Sequence, residues 1–297
     1  MKQTYVLVTP ARNEEAYIEN TIQSVVSQTM LPKKWVIVSD GSTDRTDEIV
    51  EKYESKYDFM QLVKAENTES RNFGSKVNAF KAGYDTIGAI QYDFIGNLDA
   101  DVSFDSSYFE NIINEFGKNA ELGLAGGVIC ELINSKYIVQ SISLNSVAGA
   151  VQLFRRKCYE DIGGYVPLKV GGIDSAAEIM ARMKGWNVRT FKEFSVLHHR
   201  RVGTVKINFF KSRFQKGIIN YSLGYHPLFQ VAISIYRCIG KPYIIDGLLM
   251  LFGYYWGVIR NYDRAYSEKV IDYLRAEQLE RIGLKFISKW YYGRKNE

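Results

Sequence analysis

The sequence predicts an α/β fold with a mostly parallel central sheet, flanking helices and a helical extension at its carboxyl end. Three observations support this fold class. Short apolar runs typical of buried strands alternate with segments whose apolar residues recur at helical spacing. Polar loops follow several of these runs, at the positions where the strands would end. Beyond residue 203 the pattern changes to longer helical segments rich in aromatic and basic residues.

The first 116 residues are predicted to form strands and helices in alternation. The strands occupy residues 5–8, 35–39, 59–63 and the apolar run that ends at Leu98. The helices occupy residues 14–28 (capped by Asn13), 44–56, 71–84 and 107–116. Strands that alternate with helices imply parallel pairing through right-handed crossovers. Sheets of this kind bind ligands beyond the carboxyl ends of their strands.

Two carboxylates, Asp99 and Asp101, follow the fourth predicted strand with one residue between them. Side chains at positions i and i+2 of an extended backbone point the same way, so both can face one small volume. Two close carboxylates repel each other, and a hard cation with oxygen ligands, Mg²⁺ or Mn²⁺, would remove that repulsion. A solvated acidic turn explains the same pair without a metal.

Three predicted loops should meet at one edge of the sheet: residues 10–13, 40–42 and 99–101. Neither the Gly-x-Gly-x-x-Gly dinucleotide fingerprint nor the P-loop pattern Gly-x-x-x-x-Gly-Lys-Ser/Thr is found. The sequence therefore argues against a dinucleotide-dependent dehydrogenase and against a P-loop enzyme.

Four segments together resemble a family-2 glycosyltransferase with the GT-A nucleotide-sugar fold, in order and at the family's spacing. They are residues 8–15, 38–44, 70–74 and 99–101. The resemblance covers about the first 200 residues and implies a nucleotide-sugar-binding and catalytic domain over residues 1–203. It implies inverting transfer of a sugar from a nucleoside diphosphate donor, expected to be a UDP-sugar, with Mg²⁺ or Mn²⁺. The acceptor would be a hydroxyl group in polysaccharide or glycolipid synthesis.

The resemblance also implies a role for each matching residue. Pro10, Ala11 and Glu14 would lie near the nucleoside of the donor, and Asp40 would bind its base. Arg71 and Asn78 would bind the phosphate or the sugar. Asp99 would bind the ribose or the metal. Asp101 would bind the metal and the diphosphate, and His198 would complete the metal shell. A guanidinium such as that of Arg71 is well shaped to bind phosphate oxygens.

The catalytic base of the family usually stands in an acidic motif at the start of a helix. Here the matching pair is Ile173-Asp174, so Asp174 is the expected base and Glu178 the alternative. A structural role also explains these residues. Ser175 and Glu178 have capping-box spacing, and Asp174 would favour a helix N-terminus electrostatically.

The extension over residues 204–297 is expected to be helical and to associate with an anionic membrane surface. Residues 200–297 contain 17 Lys and Arg against 7 Asp and Glu, whereas residues 1–199 contain 21 against 26. Two apolar runs, 228–239 and 247–259, are too short to span a bilayer but could lie in the interface of an anionic membrane. A helical subdomain with a solvated basic face is the alternative.

The localisation expected from the sequence is cytoplasmic, peripheral at the cytoplasmic face of the membrane. The three cysteines lie far apart and form no disulfide framework, and no signal peptide is evident. Two other functions remain open. One is a non-catalytic nucleotide-sugar-binding protein of the same fold. The other is a nucleic-acid binder, for which no recognised motif exists, so no nucleic-acid partner is expected.

Overall fold

The computed structural model describes residues 3–65, 73–133, 136–140, 143–168, 171–200, 209–239 and 244–284. The chain divides into two compact units. The sheet unit comprises Met1–Pro167 and Ile173–Val202, and the helical unit comprises Leu168–Gly172 and Gly203–Glu297.

The sheet unit contains nine strands and six helices within the described residues. Its strands are β1 (Tyr5–Ala11), β2 (Lys34–Asp40), β3 (Met60–Ala65), β4 (Phe94–Leu98), β5 (Val102–Phe104), β6 (Leu122–Ile133), β7 (Lys136–Val139), β8 (Val151–Arg155) and β9 (Asn187–His198). Its helices are α1 (Ile18–Val26), α2 (Thr46–Glu54), α3 (Phe73–Ile87), α4 (Tyr108–Lys118), α5 (Arg156–Asp161) and α6 (Ile173–Met183).

The strands form one mixed sheet in the order β3-β2-β1-β4-β8-β6-β9-β5, with β7 paired to β6. The first four strands in this order are parallel, which confirms the α/β fold predicted from their alternation with helices. The second half differs, because β8 runs antiparallel to both β4 and β6 while β9 runs parallel to β6. These additions make the sheet mixed.

Helices cover both faces of the sheet, which explains why its central strands are almost wholly apolar. One core cluster includes Leu7, Trp35 and Phe94 with apolar residues of α1, α2 and α4. The other includes Val6, Val36 and residues of α3, α5 and α6. Alternate residues of β1 and β2 thus face opposite layers, as the pleat of a strand requires.

Helix α1 begins later than its apolar spacing predicts, at Ile18 rather than near Glu14. Asn13 does not cap it. Asn13 has a positive φ of 55°, and its side chain accepts a hydrogen bond from the backbone N–H of Thr43 at 2.8 Å. The prediction of Asn13 as a helix cap was therefore wrong, because this side chain joins two loops instead.

Buried polar residues on and just after α1 fix the edge strand β5 and the segment that follows it. The Thr21 hydroxyl donates to the carbonyl of Val102 at 2.7 Å and accepts from the N–H of the same residue at 3.1 Å. These contacts satisfy backbone groups that an edge strand would leave unpaired. Gln28 donates to the carbonyl of Asp105, after β5, and accepts from the N–H of Phe109 at the start of α4.

The helical unit contains α7 (Phe209–Ser222), α8 (Pro227–Ile239), α9 (Ile245–Ile259) and α10 (Glu268–Arg281). Both apolar runs of the sequence are helical, as α8 and α9. Across the described residues, no helix has the length and apolar character needed to cross a bilayer.

Replacing Thr21 by valine should lower the free energy of unfolding by about 1–3 kcal/mol. The fully buried Val102 N–H and carbonyl would each lose their partner without access to water. Urea unfolding at neutral pH measures the change. Thr86→Val is the matched control, because the exposed Thr86 hydroxyl bonds only to its own helix. Equal effects of the two substitutions would contradict the anchoring of β5 by Thr21.

Candidate active site

The polar loops predicted to meet at one edge of the sheet do so. Strand β1 lies between β2 and β4, with Ala11 opposite Ser39 and Val8 opposite Asn97. The ends of β2 and β4 are therefore two strand spacings apart, or about 10 Å. Asp40 ends β2, and Asp99 directly follows β4.

The loops after β1 and β2 are joined by hydrogen bonds. The N–H of Asn13 donates to the Ser42 hydroxyl at 3.2 Å, and the N–H of Glu14 donates to the Thr46 hydroxyl at 2.7 Å. The carboxylate of Asp40 lies 3.7 Å from the guanidinium of Arg12. The paired loops thus hold an acidic group at the end of β2 with only 15% of its side chain exposed.

Asp99 forms a close ion pair with Lys76, whose ammonium lies 2.5 Å from its carboxylate. Lys76 is the fourth residue of α3 and reaches the sheet edge from one face of that helix. Burial would lower the pKa of Lys76, but Asp99, with Asp174 and Asp101, outweighs burial and raises it. The Lys76 ammonium therefore stays charged and compensates the acidic groups around it.

Asp101 is buried, with 7% of its surface exposed, and two basic side chains compensate its charge. His198 Nε2 and Arg200 Nε each lie 3.3 Å from its carboxylate. Burial would raise the pKa of Asp101, but His198, Arg200 and Lys76 together lower it below its usual range. The hydrogen bond to Asp101 in turn raises the pKa of His198.

Glu14 belongs to the same group through a short ion pair with Arg200. Burial, and then the neighbouring charge of Asp101, raise the pKa of Glu14 to about 7, despite the opposing effect of Arg200. Arg200 thus lies between two carboxylates from different loops. Among the described residues, Glu14, Asp99 and Asp101 thus share the two cationic side chains Lys76 and Arg200.

The two adjacent histidines point to different partners, because successive residues of a strand face opposite sides. His198 meets Asp101, whereas His199 lies 2.8 Å from the Ser103 hydroxyl and stacks on Tyr17. Of the pair, His198 therefore lies beside the predicted metal ligand.

Asp174 is the second residue of α6 and lies against the loop that precedes β8. A methyl group built on Gly149 would lie 2.8 Å from the Asp174 carboxylate oxygen, so only glycine leaves room there. The same loop is fixed to β4, since Asn97 donates to the Gly149 carbonyl at 2.6 Å and the Asp99 N–H donates to the Ala150 carbonyl at 2.9 Å. Asp174 and Asp99 are thus positioned by one short loop.

Glu178 is buried and does not form the predicted capping box with Ser175. Its carboxylate accepts hydrogen bonds from the Ser146 hydroxyl at 2.9 Å and from the Val147 N–H at 2.7 Å. Burial raises the pKa of Glu178 to about 7. The capping prediction was wrong because Glu178 faces inward, where it orders the loop that carries Gly149.

Other residues predicted to bind the donor do not present a described side chain beside the carboxylates of the site. Pro10 and Ala11 end β1, but the Ala11 side chain is buried in the core, so only its backbone is available at the edge. Asn78 lies two residues beyond Lys76 on α3, a rotation of about 200°, and its side chain is exposed, so it does not lie beside Lys76. Arg71 lies outside the described residues.

Lys76 is a site residue that sequence reasoning missed, as are Arg12 and Arg200. The signal for Lys76 is its position in the first turn of α3, directly after the segment 70–74 that matches the family pattern. Helical periodicity alone does not reveal which face of α3 meets the sheet edge, and the choice between Lys76 and Asn78 depends on that face.

The donor set suits a divalent cation, although no group of three or more His, Cys, Asp or Glu side chains arranged for a metal occurs among the described residues. Carboxylate oxygens and imidazole nitrogen are ligands that Mn²⁺ accepts, and Mg²⁺ accepts the oxygens. His198 Nδ1 is buried and lacks a hydrogen-bond partner within the described part of the chain. By the type of their donor atoms, Asp101, Asp99 and His198 are therefore suited to the implied ion.

Comparison with known proteins identifies similar sequences. The model of the glycosyl transferase family 2 matches residues 6–160, more than half of the chain. Poly-beta-1,6-N-acetyl-D-glucosamine synthase of Staphylococcus epidermidis is 28% identical over 170 residues, which cover 51% of this chain and 39% of that protein. The synthase of Staphylococcus aureus strain COL is 26% identical over 196 residues, covering 60% and 45%. The chain thus matches less than half the length of these relatives.

Solved structures share the fold. The structure of S. aureus TarS 1-349 in complex with UDP-GlcNAc superposes with a TM-score of 0.55 at 14% identity, over 94% of this chain and 80% of that one. The mannosyltransferase PcManGT from Pyrobaculum calidifontis, in complex with GDP-Man and Mn2+, gives a TM-score of 0.55 at 17% identity, over 99% and 83%. At these identities the likeness supports the GT-A fold of the chain.

The raised pKa of Glu178 predicts a specific dependence of stability on pH. A carboxyl group whose pKa rises from 4.5 to about 7 on folding binds its proton more tightly in the native state. Its contribution to the free energy of unfolding therefore falls as pH rises between those values, by about 2–3 kcal/mol. Glu178→Gln should remove this fall, so that the variant gains stability relative to the wild type between pH 5 and pH 8.

Chemical unfolding at a series of pH values measures the difference. Glu193→Gln, at an exposed position of β9, is the matched control and should leave the shape of the curve unchanged. Parallel curves for the wild type and Glu178→Gln would show that Glu178 does not titrate abnormally.

Proposed function

Because this chain belongs to glycosyl transferase family 2, we propose that it transfers a sugar, with inversion, from a nucleoside diphosphate donor to an acceptor hydroxyl. One observation carries the proposal. Asp99, Asp101 and Asp174 reach one edge of a GT-A sheet together with Lys76 and Arg200. The arrangement supplies a carboxylate to accept a proton and cations to stabilise a diphosphate.

We take the donor to be a UDP-sugar. The relatives and the neighbouring structures support this choice in part, since one structure holds UDP-GlcNAc and another holds GDP-Man. Asp40, at the end of β2, would accept a hydrogen bond from a ring N–H of the base, while Pro10, Ala11 and Glu14 would line the nucleoside. Both uracil and guanine carry such an N–H, so Asp40 does not distinguish between them. A screen of nucleotide sugars identifies the base and the sugar.

Asp101, Asp99 and His198 would hold Mg²⁺ or Mn²⁺. A bound divalent ion supplies Lewis-acid stabilisation of the charge that develops on the leaving diphosphate. Lys76 and Arg200 lie beside these ligands and would add fixed positive charge at the same place. Such preorganised charge acts at the position where negative charge develops in the transition state.

The proposed reaction is a single displacement. Asp174 accepts the proton of the acceptor hydroxyl while the hydroxyl oxygen forms its bond to the anomeric carbon. The bond from that carbon to the diphosphate oxygen breaks on the opposite face, and its electron pair leaves with the nucleoside diphosphate. Attack opposite the leaving group inverts the anomeric centre, and no covalent intermediate with the protein forms.

We further propose that the acceptor belongs to polysaccharide or glycolipid synthesis and that the protein is peripheral at the cytoplasmic face of a membrane. The similarity to polymer synthases supports the first part. The basic and apolar helical unit and the three free cysteines, Cys130, Cys158 and Cys238, support the second. The alternative is a non-catalytic nucleotide-sugar-binding protein, which would bind donor but turn over none.

Replacing Asp174 by asparagine should lower the rate of sugar transfer by about a hundredfold or more, because the base is lost while the shape is kept. Nucleotide affinity, measured by calorimetry with UDP and Mn²⁺, should stay within about twofold, since Asp174 would not bind the nucleotide. Gly149→Ala should reproduce part of the loss, because the new methyl group would displace the Asp174 carboxylate. Asp58→Asn, at an exposed position, is the control.

Transfer that survives in Asp174→Asn would remove Asp174 as the base. Absence of turnover in the wild type, with donor bound at a measurable affinity, would favour the non-catalytic alternative. A screen of nucleotide sugars for hydrolysis, beginning with UDP-GlcNAc and GDP-mannose, precedes these measurements and identifies the donor.

Removing the divalent ion with EDTA should abolish turnover, and added Mn²⁺ should restore it. Asp101→Asn should weaken the Mn²⁺ stimulation about tenfold or more, because one charged ligand is lost. Titration of activity against Mn²⁺ concentration measures both effects, and Asp85→Asn on the exposed face of α3 is the control. Full activity in EDTA would show that Lys76 and Arg200 suffice without a metal.

A further inference from the structure

Helix α9 exposes a broad apolar surface, which reverses the usual arrangement of a helix in a water-soluble protein. Six large apolar side chains lie within an arc of about 100° and point outward. They are Ile245, Leu248, Phe252, Tyr255, Trp256 and Ile259, with 40–76% of each exposed. The opposite arc is buried and holds Asp246 and three glycines together with Met250 and Tyr254. A helix that packs on a soluble core would bury the six outward side chains.

Helix α8 repeats this reversal. Its outward residues Leu228, Ile235 and Ile239 are 47–71% exposed and lie within about 40° of one another around the axis. Its buried residues are Gln230 and Ser234. We call the outward apolar residues of these two helices the α8–α9 face.

The interior of the helical unit contains a polar group of buried side chains beside its apolar ones. Asn220 of α7 donates to Gln230 of α8 at 2.9 Å, and Gln230 donates to Ser234 of the same helix at 3.0 Å. All three side chains are at least 97% buried. Asp246 of α9 is also buried and lies 3.0 Å from the guanidinium of Arg213 in α7. Polar contacts between helices thus add to apolar contact in this interior.

Glycines let the helix backbones approach closely. A methyl group on Gly253 would overlap the carbonyl oxygen of Phe214 in α7, and one on Gly217 would overlap that of Met250. One on Gly247 would overlap the carbonyl of Ser234 in α8. Small residues at helix contacts and polar groups between helices are the packing mode of helices in lipid, where apolar contact gives no driving force.

From these observations we propose that the α8–α9 face inserts into the acyl-chain region of a phospholipid bilayer. The helices have 13 and 15 residues, about 20 and 23 Å, and so cannot cross a hydrocarbon layer of about 30 Å. Insertion is therefore shallow, from one side. Aromatic and basic residues stand at the end of α9, where the guanidinium of Arg260 lies 4.8 Å from the Trp256 ring. Such residues favour the headgroup level of a membrane.

This inference differs from adsorption through the basic charge of the extension. Adsorption requires anionic lipid and weakens with salt, because surface charges are screened. Insertion depends on apolar area removed from water and persists with neutral lipid and at high salt. The proposal of insertion depends on the helical unit alone, so its test does not depend on whether the protein transfers sugar.

The test is flotation of the full chain with vesicles of phosphatidylcholine alone or mixed with phosphatidylglycerol. The wild type should bind both kinds and keep most of its binding to the neutral vesicles at about 0.5 M NaCl. The double variant Leu248→Asn, Phe252→Asn should lose about a hundredfold in partition coefficient, as expected for two large apolar side chains. Leu31→Asn, Ile138→Asn, at comparably exposed positions of the sheet unit, is the matched control.

Depth is measured by fluorescence. Lipids brominated on the acyl chain should quench Trp256, and the Trp256→Phe variant should lose that quenching while retaining vesicle binding. Circular dichroism and unfolding curves establish that each variant is folded.

Three outcomes would overturn the proposal. One is binding only to anionic vesicles that salt abolishes, which would show adsorption by charge. Another is unchanged binding of the double variant. The third is a lipid-free dimer in sedimentation that the double variant dissociates, which would show that a second copy covers the α8–α9 face.

Discussion

Charge compensation at the carboxyl edge of the sheet is the constraint on which the site depends. Asp99 directly follows β4, and the nearly buried Asp101 stands in the turn that leads into β5. Uncompensated carboxylates in such a place would be costly. Basic side chains from three separate places in the fold surround them: Lys76 from α3, His198 from the end of β9 and Arg200 just beyond it.

This compensation also explains the perturbed groups around the site. Arg200 is shared between Asp101 and Glu14, so Glu14 keeps a raised pKa although it has a basic partner. Among the described residues, the carboxylates Glu14, Asp99 and Asp101 outnumber the cations Lys76 and Arg200, so the site is suited to bind a metal cation. The same two cations are suited to bind a phosphate group. The proposed donor, a nucleoside diphosphate with its ion, brings both.

The mixed sheet gives the second half of the site. If all strands were parallel, the loop before β8 would leave the opposite edge. Because β8 is antiparallel to β4, its beginning lies beside the end of β4, and Gly149 and Ala150 meet Asn97 and Asp99. Asp174 packs against Gly149 of that loop, and Glu178 accepts a hydrogen bond from the Val147 N–H of the same loop. The helical unit is packed differently, since it buries polar side chains such as Asn220 and Gln230 while it exposes the apolar α8–α9 face.

The sequence by itself determined the alternation of strands and helices in the first part of the chain and the three loops at one edge, one of which carries Asp99 and Asp101. These features depend on local periodicity, which a sequence carries directly. Tertiary structure alone decided which cations meet those carboxylates, which face of α3 bears on the sheet edge, and that Glu178 orders a loop instead of capping a helix. It also decided that the apolar arcs of α8 and α9 face outward. Each of these depends on how helices are rotated against their neighbours, and contacts between residues far apart in the chain set that rotation.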